Sequence, residues 1–235
     1  MKIIALGDTH GRPLWKEIIE KEKPDKIVFI GDYFDSFDVS AEDQINNFLD
    51  IAAYKEANPE RTILLIGNHD FHYLHGENGT SGYQRNYTNV IHHALKQHDT
   101  KLQMAYQLGD ILFTHAGVSS IWLETYYGRW EEEYENIAEV VNDLYKYKPD
   151  SFLFNGRDDT GNDPYQTPIW IRPSALMRAN KGGLVKDIIQ IVGHTRQNTI
   201  DIEGKSTGGR YYFIDTIGVK QYLIIEDGKF KLGKI

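Results

Sequence analysis

No cysteine occurs among the 235 residues. Disulfides, thiolate metal sites, iron–sulfur clusters and cysteine nucleophiles are therefore excluded together, and any metal must be held by His, Asp, Glu, Asn or backbone oxygen. Long apolar runs are missing too. The first, Ile3 to Leu6, follows a single lysine and is too short for a signal-peptide core or a membrane span, so the expectation is a soluble cytoplasmic protein with no membrane partner. Positive charge is also short. A formal net charge of −8 argues against a large nonspecific nucleic-acid surface, which needs Lys and Arg to replace counterions along the phosphates. An anionic substrate is compatible with this charge, because a pair of bound divalent cations would halve the excess and make their cleft locally positive.

The chain is long and apolar enough, at 40% hydrophobic residues, to form one globular domain with a sizeable core. That domain is expected to span 1–235, with helical or loop insertions at about 71–100 and 119–180. Residues 2–7, 26–31 and 61–67 are short apolar runs that each close on a glycine and alternate with helical stretches, a βαβαβ pattern. A helix around Trp15 to Glu22 stops before Pro24. Another starts at Ser40, with Asp43 completing a carboxylate version of the capping box and Ile45, Phe48, Leu49 and Ala52 on one stripe. From Phe71 to Gln97 the chain is polar and rich in His and Tyr, and reads as a loop plus a helix. Residues 101–107 and 111–115 read as a strand pair turning at Gly109-Asp110, followed by acidic helices to about Lys148 and an irregular stretch to Pro168. Strands are expected at 188–193, 199–202 and 210–215, and at 220–226 with 229–234 around the Asp227-Gly228 turn.

Five short motifs fall where apolar strands end: Asp8-Thr-His10, Gly31-Asp32-Tyr-Phe-Asp35, Gly67-Asn68-His69-Asp70, Thr114-His115-Ala-Gly117 and Gly193-His194-Thr195. In open α/β sheets the carboxyl ends of strands form the ligand crevice. Singly each motif has a bland reading: Asp8 as a helix N-cap, Gly-Asn-His-Asp as a turn, the histidines as hydrogen-bonded residues near strand ends. Jointly, in this order, they form a full ligand set. Hydrolysis of a phosphoester sets an anionic electrophile against hydroxide, and a pair of cations can neutralise the phosphate and make a nucleophile from water. A mixed His/Asp/Asn set suits transition metals.

These motifs resemble those of the calcineurin-like metallophosphoesterases, in the arm that holds the PPP-type Ser/Thr phosphatases and the symmetrical diadenosine tetraphosphatases. The resemblance runs from residue 3 to about residue 216. It implies a four-layer α/β/β/α sandwich of two mixed sheets flanked by helices. It also implies two divalent ions, manganese first, with iron, zinc, cobalt or nickel as the other candidates. By the same resemblance Asp8 and His10 would hold one ion, Asp32 would bridge, and Asn68, His115 and His194 would hold the second. His69 would be the general acid, oriented by Asp35, and Asp215 would stand behind the site. In that arm an arginine usually follows the second motif; here Asp35 is followed by Ser36. Arg172 is the phosphate-gripping candidate, with Arg157 behind it, and Arg196 stands where another branch has a second histidine. The implied reaction is phosphomonoester hydrolysis on a small phosphorylated substrate or a phosphoprotein. A nucleotide phosphodiesterase or dinucleoside polyphosphate pyrophosphohydrolase is the enzymatic alternative, and a silent metal-binding scaffold the non-enzymatic one. His72, His75, His92, His93 and His98 read as solvated or substrate-rim histidines rather than a second metal cluster. Tyr126, Tyr127, Tyr134, Tyr145 and Tyr147 read as half-buried packing residues, Glu131 to Glu133 as a solvated helix start, and Asp158, Asp159 and Asp163 as a polar turn.

Overall fold

Strand β1 (Lys2–Leu6) sends alternate side chains to opposite faces, as a pleated strand must. Ile4 and Leu6 join a core with Trp15, Ile18, Phe48 and Ile51, whereas Ile3 and Ala5 pack in a separate one with Phe113, Ile191 and Tyr212. The first face therefore meets helices and the second meets another sheet. In this computed structural model, which describes residues 1–76, 81–126, 134–180, 183, 185–204 and 207–235, β1 pairs in parallel with β2 (Lys26–Phe29), β2 with β3 (Thr62–Leu65) and β3 with β4 (Leu102–Gln103). On the other side of β1, β9 (Gln221–Glu226) and β10 (Lys229–Lys234) add antiparallel strands, completing the order β10-β9-β1-β2-β3-β4. Asp227 and Gly228 turn that hairpin with both φ angles positive, 50° and 72°, as the Asp-Gly signal requires.

The second sheet has the order β5-β6-β7-β8. Here β5 (Ala105–Leu108) and β6 (Ile111–Thr114) form an antiparallel hairpin, and β7 (Ile189–Val192) and β8 (Tyr211–Phe213) extend it in parallel. Helices α1 (Leu14–Glu22), α2 (Ala41–Ala57) and α4 (Thr88–Gln97) cover the outer face of the first sheet, while α7 (Pro173–Ala179) packs Ala175 and Leu176 against Tyr211 and Phe213 of the second. Two mixed sheets flanked by helices thus form the α/β/β/α sandwich.

Four elements differ from the sequence reading. The run at 101–107 is split, β4 pairing in the first sheet and β5 in the second. Asn142, on α6 (Ile137–Tyr147), makes the crossing: its Oδ1 accepts from Met104 N at 2.9 Å and Ala105 N at 3.0 Å, and its Nδ2 donates to Ala105 O. Residues 199–202 form no strand; Ile200 is buried between the sheets, but the chain turns from Asp201 to Gly204. The buried stripe of α2 is Gln44, Asn47, Phe48, Ile51 and Ala52, leaving Leu49 38% exposed, although Ser40 does cap the helix by accepting from Asp43 N at 3.1 Å. Between residues 68 and 98 there is a further helix, α3 (Asn68–His75), in addition to α4. Tyr145 is part of the core margin, but Tyr147 is 68% exposed and Tyr126 39%. Tyr127 and Glu131 to Glu133 lie outside the described residues. Among the described residues no helix is long and apolar enough to cross a membrane.

Candidate functional site

The five motif loops leave the carboxyl ends of β1, β2, β3, β6 and β7, and they converge. His115 Nε2 and His194 Nδ1 each lie 2.9 Å from Asn68 Oδ1, and His115 Nε2 is 3.4 Å from Asp32 Oδ2. Donor atoms of Asp32, His115 and His194 all fall within 4.8 Å of one another, and so do those of Asp8, His10 and Asp32. Asp32 belongs to both groups. The first sheet supplies Asp8, His10, Asp32 and Asn68, and the second supplies His115 and His194.

Each imidazole is fixed from behind by a backbone carbonyl: His10 Nδ1 by Phe34 O at 2.5 Å, His115 Nδ1 by Ile30 O at 2.9 Å, and His194 Nε2 by Trp170 O at 3.1 Å. A carbonyl only accepts, so the anchored nitrogen carries the proton and the other presents a lone pair. The backbone is itself unusual here. Among the described residues seven non-glycine positions have positive φ, and His10, Asp32, Asp35 and His194 are four of them; such conformations cost about 1–3 kcal/mol each and persist where surrounding contacts impose them. Glycine permits the close packing: a Cβ at Gly67 would collide with the Asp32 carboxylate, and one at Gly193 with that of Asp8. Asp8 in turn accepts from His194 N at 3.0 and 3.1 Å, joining the two sheets at the site.

The electrostatics fit divalent cations. Burial, and then the neighbouring histidines, lower His10 to about 4 and His115 to about 3; burial and His115 push His194 well below its ordinary value. All three imidazoles are neutral at pH 7 and able to ligate. Asp8 is raised well above the usual carboxylate range by burial and by Asp215, and Asp32 by burial, Asp8 and Asp70. Buried carboxylates that repel each other beside neutral imidazoles are what a pair of cations stabilises.

Asp70 organises the loops. Its Oδ2 accepts from Asp32 N at 2.7 Å and Gly67 N at 2.9 Å, and its Oδ1 from Tyr33 N at 2.9 Å. Burial raises it to about 7 despite those three donors. His69 N donates to Asp32 Oδ1 at 2.9 Å, and the His69 ring places Nδ1 2.8 Å from Asp35 Oδ2 with Nε2 4.0 Å from Asp32 Oδ2. Asp35 is further held by Tyr73 OH at 2.5 Å and by His72 Nε2 at 3.0 Å. Burial alone would raise Asp35, but hydrogen bonds from His69, His72 and Tyr73 bring it down to about 2. His72 is therefore a buried partner of Asp35 and not a solvated rim residue, because the first turns of α3 carry it inward. The other histidines of that segment make separate contacts: His75 stacks on Phe71, His92 Nδ1 meets Tyr73 O, His93 meets Gln97 and His98 meets Glu56.

A cleft of about 470 Å³ opens over the site, lined by Asp8, Asp32, Asn68, His69 and His194 and rimmed by Phe37 and Trp170. Arg172 lines it, with Nη1 3.2 Å from both His194 O and Thr195 Oγ1. Arg157 does not; its guanidinium stacks 4.3 Å over Tyr165, which removes it as a site candidate. Asp215 lines the cleft and is raised to about 6 by burial, with Arg196, Arg12 and Arg172 opposing. Asp158 caps its own turn, accepting from Thr160 N at 2.8 Å. Asp70, Tyr73 and Arg12 were given no role by sequence, and only Asp70, as the fourth residue of its motif, carried a local signal.

The family model for calcineurin-like phosphoesterases matches residues 1–195. Among solved structures, a cold-active protein-tyrosine phosphatase of a psychrophilic Shewanella species is similar over 99% of this chain and 77% of its own, at 19% identity and a TM-score of 0.67. A metallophosphoesterase from Sphaerobacter thermophilus is similar over 100% of this chain and 88% of its own, at 14% identity and a TM-score of 0.54. At such identities both support the fold. No curated protein matches by sequence. With the family match covering most of the chain, and two three-residue donor groups sharing one aspartate beneath a cleft, the protein belongs to the calcineurin-like phosphoesterase family and is a metal-dependent phosphoester hydrolase.

Proposed function

We propose that the chain is a cytoplasmic, manganese-dependent phosphomonoesterase acting on a small phosphorylated substrate or a phosphoprotein. The observation that carries this reading is the Asp35–His69 pair at 2.8 Å, set beside the shared aspartate of the two donor groups. Asp8 and His10 would hold one ion, Asp32 both, and Asn68, His115 and His194 the other. When bound, the ions supply positive charge against the phosphoryl oxygens and lower the pKa of water enough for a nucleophile to exist at neutral pH.

The chain's own residues do the rest. Asp35, whose carboxyl is lowered to about 2 and so is ionised at neutral pH, holds His69 by Nδ1 and turns Nε2 toward the cleft. His69 gives its proton to the leaving oxygen as the ester P–O bond breaks and water's oxygen bonds to phosphorus, a role worth about 10²–10⁴ in rate. Arg172, anchored to the loop that carries His194, presents its guanidinium to a phosphoryl oxygen and stabilises the charge that develops there. The similarity to a structure described as a protein-tyrosine phosphatase favours a monoester over a diester.

Purified protein with manganese is expected to hydrolyse p-nitrophenyl phosphate faster than bis-p-nitrophenyl phosphate. His69→Ala is expected to retain its metal while turnover drops by about 10²–10⁴. Preference for the diester, or unchanged turnover in His69→Ala, would overturn the assignment.

A further inference from the structure

We infer that Arg12 and Arg196 form a second anion subsite beside the metal centre, which takes a second phosphate carried on the leaving group of the ester being cleaved. This rests on the monoesterase reading above and narrows its substrate to a class, compounds with two phosphates on one molecule.

Arg12 lies two residues beyond His10 and Arg196 two beyond His194, so the loops that bring ligands from the two sheets also bring one guanidinium each to the same cleft. Three arginines line that cleft in a chain whose formal charge is −8. Their states differ. Arg172 is committed to Thr160 O, His194 O and Thr195 Oγ1. Among the described residues Arg12 pairs only with Asp38, at 3.3 Å, and that carboxylate is 79% exposed; exposed pairs of this kind are worth little and yield to a better partner. Arg196 is exposed and, among the described residues, has no hydrogen bond or ion pair within 4.0 Å. Gly218 lies alongside it, where a Cβ would make only an ordinary contact, 3.9 Å from Arg196 Nη2.

The carboxylate these groups face is Asp215, whose pKa Arg196, Arg12 and Arg172 all pull downward against burial. Asp8, Asp32, Asp35 and Asp38 line the same cleft, so an excess of positive charge beside these guanidinium groups depends on the two divalent ions being bound. A phosphate at the ions and Arg172 leaves Arg12 and Arg196 facing water; a second phosphate on the same molecule gives both a charge-assisted, bidentate partner. Hydrolysis then transfers one phosphoryl group to water and releases the alcohol with its own phosphate still attached.

The test compares the manganese-loaded wild type with Arg12→Gln and Arg196→Gln. Substrates are p-nitrophenyl phosphate, propyl phosphate, a series of alkanediol bisphosphates of increasing spacing, and a nucleoside diphosphate. For the wild type, kcat/KM of at least one two-phosphate substrate is expected to exceed that of propyl phosphate tenfold or more. That ratio should fall at least fivefold in each variant. The spacing that is best among the diols measures the distance between subsites, and a nucleoside diphosphate outrunning every diol identifies an anhydride as the source of the second phosphate. No advantage for any two-phosphate substrate, or an advantage that survives both substitutions, overturns the subsite while leaving the monoesterase reading in place. A wild type inert toward every monoester overturns that reading instead. Calorimetric titration with the alkylenediphosphonate whose spacing matches the best two-phosphate substrate then decides the subsite: affinity that drops tenfold in Arg196→Gln supports it, and equal affinity rejects it.

Discussion

Replacing Asp35 by Asn keeps the side-chain shape and removes the charge, and the structure sets the size of the effect. The Asp35 carboxyl sits near 2 rather than at its ordinary 3.8, although burial works in the opposite direction, because His69, His72 and Tyr73 all bond to it. A displacement of that size corresponds to about 2 kcal/mol in favour of the charged form. Because the folded value is depressed, this stability is present above about pH 4 and disappears as the pH falls through 2. At pH 7 the variant is expected to lose about 2 kcal/mol, a melting shift of about 5 °C for a chain of this length, and the difference should vanish near pH 2. If the same interaction orients His69 during turnover, about 2 kcal/mol also means about a 30-fold fall in kcat, with KM little changed. Stopped assays on paired substrates separate this from general damage. Proton donation matters most to a poor leaving group, so the loss must be larger with an alkyl phosphate than with p-nitrophenyl phosphate. Equal losses on the two esters, or an unaltered kcat, would refute the role assigned to the pair.

Asp32→Asn removes the charge shared by both donor groups, and is expected to cut activity by at least 10³ and to lower bound metal in elemental analysis; a fully loaded variant at normal speed would contradict it. Asp70→Ala leaves three buried N–H groups without their acceptor, so calorimetry should show a loss of about 3 kcal/mol or more and a correspondingly lower melting temperature. Chelation should lower the melting temperature of the wild type, since ligands from both sheets are then unbridged, and manganese should restore it; an unmoved transition would count against the dinuclear centre. Arg172→Gln should reduce kcat/KM about tenfold or more while leaving metal content unchanged, and a loss confined to metal occupancy would reassign the residue.

The motif loops were legible because each combines a strand end with chemically distinctive residues in a short span, and the structure brings Asp8, His10, Asp32, Asn68, His115 and His194 together as one cluster. What was not legible depends on approach through space. His72 follows His69 by three residues, so one face of α3 presents both to Asp35, which only the helix start at Asn68 makes visible. The split at Met104 hinges on Asn142, which lies 38 residues away and satisfies the backbone where the chain changes sheets. Leu49 looked like a core residue by spacing, but the packing of Asn47 against Trp15 Nε1 rotates the buried stripe of α2 by a step. Arg12 carries no signal in sequence and Arg196 marks only the place of a missing second histidine, so their pairing emerges only from the cleft they share.

The donors drawn from two sheets also constrain when the centre can exist. Asp8, His10 and Asp32 come from the first two strand ends, but His194 follows Asp32 by 162 residues. A chain that stops short of His194 can offer Asp8, His10, Asp32, Asn68 and His115, so the donor set is complete only once β7 has docked beside β6. Docking of β7 beside β6 and completion of the donor set are thus one event, and a chain without His194 carries no complete centre.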